Sequence, residues 1–220
     1  MTRFLILGAT GPAGIALVRK TLETYPDCTI VIYARSPDKM PEELRNHASI
    51  SIIKGTLEEL DVAETAVQGI DVILSALGPL TRHPSNTPIA TFYGHLIDFM
   101  HKYEVKRFIL LGTASSVDPN DKFSWKYAAM IRTVRTFAPS AYAEIVAIGE
   151  VVRSKGADLD WTMVRVPVLT NANTEDVLAG YVGDGKVGTV LSRKAFAAFA
   201  VGEVEKREWI QKAPMISNAS

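Results

Sequence analysis

Residues 8–14, Gly8-Ala9-Thr10-Gly11-Pro12-Ala13-Gly14, constrain this chain more than any other stretch. They follow the apolar run Phe4-Leu5-Ile6-Leu7 and precede an amphipathic segment from Ile15 to Leu22. A strand, a glycine turn and a helix in that order form a cradle for a diphosphate. One glycine permits the tight turn, a second lets the backbone approach the phosphates, and a third lets helix and strand pack closely. The first helical turn then presents unpaired N–H groups and the positive end of the helix dipole to the anion. Pro12 fits, because proline at the first helical position gives up an N–H that would be unpaired anyway. The spacing is G-x-x-G-x-x-G rather than G-x-G-x-x-G. A glycine triplet alone fits any turn before a helix, so the order of elements downstream has to carry the argument.

That order alternates. After a first strand over residues 3–7, the first helix runs to about residue 25 and is broken by Pro26-Asp27. Residues 29–33 form an apolar, β-branched run of the kind that parallel sheets bury. A short helix is predicted over 41–47 and a third strand over 50–54. Thr56-Leu57-Glu58-Glu59 reads as a capping box opening the next helix. Strands over 71–74, 107–111 and 161–166 follow, separated by a proline-bearing loop (79–88), a long helix to about 103, a small-residue loop (112–119) and a helix ending near Lys155 with Gly156 as its stop. This alternation predicts an α/β, Rossmann-like, doubly wound parallel sheet in the order 3-2-1-4-5-6, with helices on both faces. Ligands of such a sheet bind at the carboxyl ends of strands one, four and five, where the glycine turn and the two loops fall. The 220 residues fit one domain. Residues 168–220 are expected to form a small cover on the substrate side, with a strand over 187–190, a helix over 193–203 and an extended piece over 209–216.

Composition excludes several other classes. Lys plus Arg and Asp plus Glu balance at 24 each, so no net field favours nucleic acid or an anionic membrane. No apolar run approaches the roughly 20 residues of a membrane span, and no signal-peptide pattern opens the chain. Cys28 is the single cysteine and reads as a small buried residue. The expected setting is cytoplasmic, the expected partner a small-molecule substrate, and the expected state a monomer or homodimer.

The turn after the second strand selects the nucleotide. An acidic side chain there would hydrogen-bond a free ribose 2′-OH. The chain instead reads Tyr33-Ala34-Arg35-Ser36-Pro37, offering a guanidinium fork and a hydroxyl to a 2′-phosphate, which points to NADP(H).

With these pieces in place the chain resembles the atypical short-chain dehydrogenase/reductases, in the branch of the NmrA-like proteins and the biliverdin reductase B-type flavin reductases. The residues carrying the resemblance are the glycine turn, Asp71-Val72-Ile73-Leu74-Ser75-Ala76-Leu77-Gly78, Lys106-Arg107-Phe108-Ile109-Leu110-Leu111 and Gly149-Glu150-Val151-Val152. The stretch from Leu159 to Pro167, which matches a "dwTivRP" segment, and Tyr181-Val182-Gly183-Asp184-Gly185 complete it. The resemblance implies a diphosphate on Gly8, Thr10, Gly11, Pro12, Ala13 and Gly14, and Arg35 and Ser36 on the 2′-phosphate. Thr56 and Leu57 would lie beside the adenine, with Thr56 replacing a more usual acid. Ala76, Leu77 and Gly78 would flank the nicotinamide ribose, and Thr113 and Pro167 would approach the nicotinamide.

The family's main chemistry uses a tyrosine that gives up a proton while a lysine four residues later lowers its pKa, since a free phenol near 10 is a poor acid–base at neutral pH. No such pair exists here. Tyr142 falls near the expected place, but Val146 stands at the lysine position, and Tyr127 is followed by Ile131. The biliverdin reductase-type histidine after the strand-six proline is Val168. The catalytic candidates are therefore Thr113 and Ser115, to hydrogen-bond a substrate carbonyl or satisfy their own loop, and Tyr142 as proton donor or packed aromatic. His83 borders the cleft as a proton relay or a solvated loop residue. His95 and His101 lie six apart on different helix faces, His47 reads as surface, and residues 118–121 read as a turn rather than a calcium loop, so no metal site is expected. Trp125, Tyr127 and Met130 either roof a flat substrate or fill core. The function that fits is NADPH-dependent hydride transfer to an uncharged aromatic or conjugated acceptor. The alternatives are a non-catalytic NADP(H)-binding regulator and a redox-neutral, isomerase-type biosynthetic enzyme.

Overall fold

The computed structural model describes residues 1–79 and 83–219. The middle of the 79–88 loop thus lies outside the described residues. The elements are β1 (Arg3–Leu7), α1 (Pro12–Thr24), β2 (Thr29–Ala34), α2 (Glu42–Arg45), β3 (Ile50–Lys54), α3 (Leu60–Val67), β4 (Val72–Ser75), α4 (Pro88–Lys102), β5 (Arg107–Gly112), α5 (Trp125–Phe137), α6 (Pro139–Lys155), β6 (Asp160–Arg165), β7 (Val168–Thr170), β8 (Leu178–Gly180), β9 (Val190–Ser192), α7 (Arg193–Lys206) and β10 (Met215–Ser217). The main sheet runs β3-β2-β1-β4-β5-β6-β10-β8, the expected order extended by two strands at one edge. All its pairings are parallel except β10 with β8.

The period-2 alternation of the strands divides the core into two layers. Leu5 and Leu7 of β1 point to the layer built from α3, α4 and α6, with Phe92, Tyr93, Ile97 and Ile148 at its centre. Phe4 and Ile6 point to the layer of α1, α2 and α7, with Leu17, Val18, Phe196 and Val201. Cys28 is buried in this second layer, as expected.

Local structure departs from the sequence reading in four places. Between the 112–119 loop and Lys155 there are two helices, because Pro139 has no N–H to continue α5 and instead starts α6. The box at 56–59 half forms. The Thr56 N–H donates to Glu59 Oε2 at 2.7 Å, but α3 begins only at Leu60, with Glu59 as its N-cap residue. The strand expected at 187–190 lies at 190–192 and pairs with β7 in a separate two-stranded sheet, and of the extended piece expected at 209–216 only residues 215 and 216 fall in a strand of the main sheet, β10. Within the tail, α7 and β10 are part of the sheet scaffold, since Phe196, Ala200, Val201 and Ile216 are fully or almost fully buried in the α1 layer.

Two buried arginines pin opposite ends of the sheet. Arg165, at the carboxyl end of β6, is fully buried. It donates to Ala213 O (2.6 Å), Ser116 O (3.1 Å) and both Asp121 oxygens (2.6 and 2.7 Å). Asp121 in turn accepts the Val182 and Asp118 N–H groups at 3.0 and 2.8 Å, so one ion pair joins β6, the loop after β5 and two points of the tail. At the far end, Arg107 donates to Asp160 O, Thr162 Oγ1 and Glu203 O. Burial brings its pKa down to about 10, which still leaves it charged at neutral pH.

Removing one member of a buried ion pair leaves the other uncompensated. Arg165→Met is therefore expected to cost about 3–5 kcal/mol in urea unfolding. Burial holds the Glu203 carboxyl above its ordinary value, against the opposing pull of the Trp209 N–H and Arg107. Across that window the folded chain keeps a proton that the unfolded chain has released. This group's stabilising contribution is therefore present at low pH and lost as pH rises through the folded pKa. In thermal melts between about pH 4 and about pH 7, the difference in Tm is expected to shift toward Glu203→Gln as pH rises.

Candidate functional site

The parallel register aligns the carboxyl ends of five strands. Leu7 lies beside Tyr33 and Ser75, Ser75 beside Leu110, and Gly112 beside Arg165. The three glycines of the first turn divide three tasks. Gly8 adopts φ 74°, and a Cβ there would stand 2.8 Å from Ala76 C and Leu77 N. Gly14 lies so close to the turn that a Cβ would overlap the Gly8 carbonyl. Gly11 is different. A Cβ on it meets only Gly8 O, at 3.6 Å, so the space over the helix terminus is open. Gly11 is also the N-cap of α1, and no side chain caps the helix. Pro12 has no N–H to offer, and the N–H groups of Ala13 and Gly14 precede the first intrahelical bond, Ile15 N–H to Gly11 O at 2.8 Å. An anion placed there meets backbone donors and the positive helix end.

At the end of β2, Arg35 is exposed and forms no ion pair among the described residues. Ser36 precedes a short 3-10 turn, Pro37–Lys39, without using its side chain as a cap. Across the cleft the Tyr33 hydroxyl donates to Thr56 O at 2.5 Å, which fixes Thr56 and the half-buried Leu57 as a wall beside β2. At the end of β4, Ala76 N–H donates to Leu7 O (3.0 Å) and Leu77 N–H to Ser75 Oγ (3.2 Å), while Ser75 Oγ also bonds the Tyr93 hydroxyl (2.6 Å). Burial pushes the Tyr93 phenol well above its ordinary value, so it stays protonated. Gly78 continues this edge.

After β5, Thr113 Oγ1 accepts the Ser115 N–H at 3.3 Å. That is the loop-satisfying role, and it leaves the Thr113 hydroxyl proton free to donate elsewhere. Ser115 and Ser116 are buried, and Ser116 Oγ accepts from Arg153 at 3.1 Å. Val166 N–H closes on Gly112 O (3.0 Å), placing half-buried Pro167 next to the same loop. Tyr142 is half-buried and faces α5. With Ala128, Ile131, Arg132, Arg135 and Thr136 it lines an open pocket of about 670 Å³, and the Arg135 guanidinium stands 5.7 Å from its ring. Tyr127 is core, packed with Ala114, Val182 and Met215, whereas Trp125 is 80% exposed.

The histidines separate as well. His47 accepts the Ser49 N–H at the surface, and His101 pairs with Asp158 at 2.9 Å. His83 is not a solvated loop residue. Its side chain is 8% exposed, and Nε2 bonds Glu144, which is fully buried. The sequence reading missed Glu144. Its signal was an acid on the stripe of α6 that carries Ile148 and Val152, four and eight residues on. It also took Asp118 and Asp121 for a plain turn, where Asp121 grips Arg165. Among the described residues, no group of three or more His, Cys, Asp or Glu side chains is arranged to hold a metal, and no helix is long and apolar enough to cross a membrane.

Comparison with known proteins agrees with this geometry. A family described as NAD(P)H-binding matches residues 8–207. A curated relative, the oxidoreductase aflX of Aspergillus parasiticus, is 24% identical over the whole of this chain, which covers 83% of that protein. Among solved structures, a short-chain dehydrogenase/reductase from Veillonella parvula in complex with NADP superposes with a TM-score of 0.79 at 19% identity, covering 100% of this chain and 95% of that one. The oxidoreductase ylbE from Lactococcus lactis gives 0.76 at 21%, covering 100% and 92%. A glycine turn at the head of a 3-2-1-4-5-6 sheet, matched from Gly8 to the end of α7, places the chain in the NAD(P)H-binding family.

Proposed function

We propose that this protein is an NADPH-dependent reductase acting on a small aromatic or conjugated acceptor. The observation that carries the cofactor choice is the end of β2. Arg35 and Ser36 are unengaged beside the glycine turn, and no acid stands at that turn to receive a ribose 2′-OH. The NADP in the Veillonella parvula structure and the name of the Aspergillus parasiticus relative support the same reading. Gly8, Thr10, Gly11, Pro12, Ala13 and Gly14 would hold the diphosphate. Arg35 and Ser36 would hold the 2′-phosphate, and Thr56 and Leu57 would lie along the adenine. Ala76, Leu77 and Gly78 would flank the second ribose, with Thr113 and Pro167 by the nicotinamide. Bound NADPH supplies a hydride. Thr113, its oxygen already engaged by the Ser115 N–H, would donate a hydrogen bond to the acceptor oxygen, with Ser115 holding that loop. An acceptor whose charge is spread over a conjugated system needs less help from an acid at the moment of transfer, which suits a chain with Val146 where a lysine is usual.

Fluorescence titration with NADPH and NADH tests the cofactor. Charge-assisted hydrogen bonds are worth about 1.5–3 kcal/mol, so Arg35→Ala is expected to weaken NADPH roughly 10- to 100-fold while leaving NADH within about twofold. Following absorbance with a panel of flavins, quinones and enones tests the reaction. NADPH bound tightly but never consumed would favour the regulator or redox-neutral readings. Thr113→Val, which keeps shape and removes the hydroxyl, is expected to lower kcat about 10- to 100-fold with little change in NADPH affinity.

A further inference from the structure

The buried pair of His83 and Glu144 is not among the residues assigned above to the cofactor or the acceptor. We propose that His83, oriented by Glu144, is the group that protonates the acceptor. This rests on the reductase reading above.

Glu144 is completely buried, and both of its oxygens are used. Oε1 accepts the Ala90 N–H at 2.7 Å, and Oε2 accepts the Ile89 N–H at 3.3 Å together with His83 Nε2. The two backbone donors belong to the first turn of α4. Thr87, the N-cap of that helix, sits at φ 46° and offers it no side-chain bond. A carboxyl group reaching over from α6 therefore does the capping. Capping does not require the histidine. With Nε2 bonded to the Glu144 carboxyl, the ring is held in one orientation and Nδ1 is left as its other edge. This is the nucleophile–base–orienter arrangement reduced to an acid and its orienter.

The pair also lies at the working end of the sheet. α4 and α6 pack on the same face, and each begins at the carboxyl end of the parallel strands. His83 belongs to the connection that leaves β4 through Ala76, Leu77 and Gly78 and enters α4 at Pro88. The Ser75–Tyr93 bond anchors the base of that connection, and Tyr93 is close enough to Glu144 for the carboxylate to add to the upward shift that burial gives its phenol. Tyr142, two residues before Glu144 on α6, lacks a neighbouring lysine and faces α5 instead. The step balances simply. A hydride adds to the acceptor carbon, and the electron pair of the attacked double bond moves to its heteroatom. The heteroatom takes the proton as the His83 N–H bond breaks. The acceptor is reduced by two electrons, NADPH is oxidised, and solvent returns the proton to the ring.

The test compares wild type, His83→Ala, His83→Gln and Glu144→Gln, each with a melt and an NADPH titration, using the acceptor from the panel that wild type reduces fastest. Turnover of His83→Ala is expected to fall about 100-fold or more, with NADPH affinity within about twofold, and added imidazole is expected to restore part of it. His83→Gln keeps a donor to Glu144 but has no titrating group, so it is expected to fold and bind normally and stay slow. Glu144→Gln retains an amide oxygen for the helix cap and loses the anion, and is expected to be slower than wild type. Unchanged turnover in His83→Gln overturns the proposal while leaving the reductase reading intact. So does a slow His83→Ala that imidazole does not revive. If wild type consumes NADPH with no acceptor, the reductase reading itself fails, and the proton donor falls with it.

Discussion

The cleft depends on one contact between backbones, the approach of the first turn of α1 to the turn that leaves β1. Gly14 has no Cβ to hold the helix away from the Gly8 carbonyl, and Gly8 has none to strike Ala76 and Leu77 of the neighbouring strand end. A single methyl group at either place would separate helix from strand or β1 from β4. The open space above Gly11 exists because those two contacts are closed, and the helix N-terminus without a side-chain cap opens onto that space. The polar character of the site thus arises from steric fit beneath it rather than from charged side chains brought to it.

On the other side of the cleft, sterics give way to electrostatics. The loop after β5 is too irregular to hold itself by ladder hydrogen bonds, and Arg165 supplies the missing partners. Because its guanidinium is wholly buried, each of its donors needs an acceptor, and it finds them in Asp121 and in two carbonyls from chain segments 49 and 48 residues away. Asp121 passes the constraint on through its own acceptors to Asp118 and Val182. Thr113 and Pro167 are therefore placed by a network whose anchor is the last residue of β6, which explains why an arginine two residues before the strand-six proline belongs to structure rather than to substrate.

What could be read in the sequence follows from the range of the interactions involved. The glycine turn, the six parallel strands and their order were legible because each rests on local pattern: alternation, a βα turn, a proline or glycine at an end. The unengaged arginine at the end of β2 was legible for the same reason. The division of α5 from α6 was written in Pro139 and was overlooked. The pairing of β8 and β10, of three residues each, was beyond reach because it is set by partners 35 or more residues away in sequence. Glu144 and Asp121 were hidden for a related reason. An acid in a helix or a turn is usually solvated, and only the fold reveals that one meets the open end of α4 and the other a buried guanidinium.

Val146 four residues after Tyr142 and His83 against Glu144 bear on the same question, the source of a proton. A tyrosine can act as an acid near neutral pH only if a cation lowers its pKa, and Val146 offers none four residues after Tyr142. An imidazole starts near neutrality and needs the reverse, an anion that keeps the proton on the ring and the ring in place. A carboxylate buried for that purpose would be costly unless other donors shared its charge. The first turn of α4 provides two such donors and a favourable dipole, so the expense of burying Glu144 is offset by the helix it caps. Glu144 is therefore held by the helix in its own right, and His83 on the β4–α4 connection meets an acceptor whose position it does not have to secure.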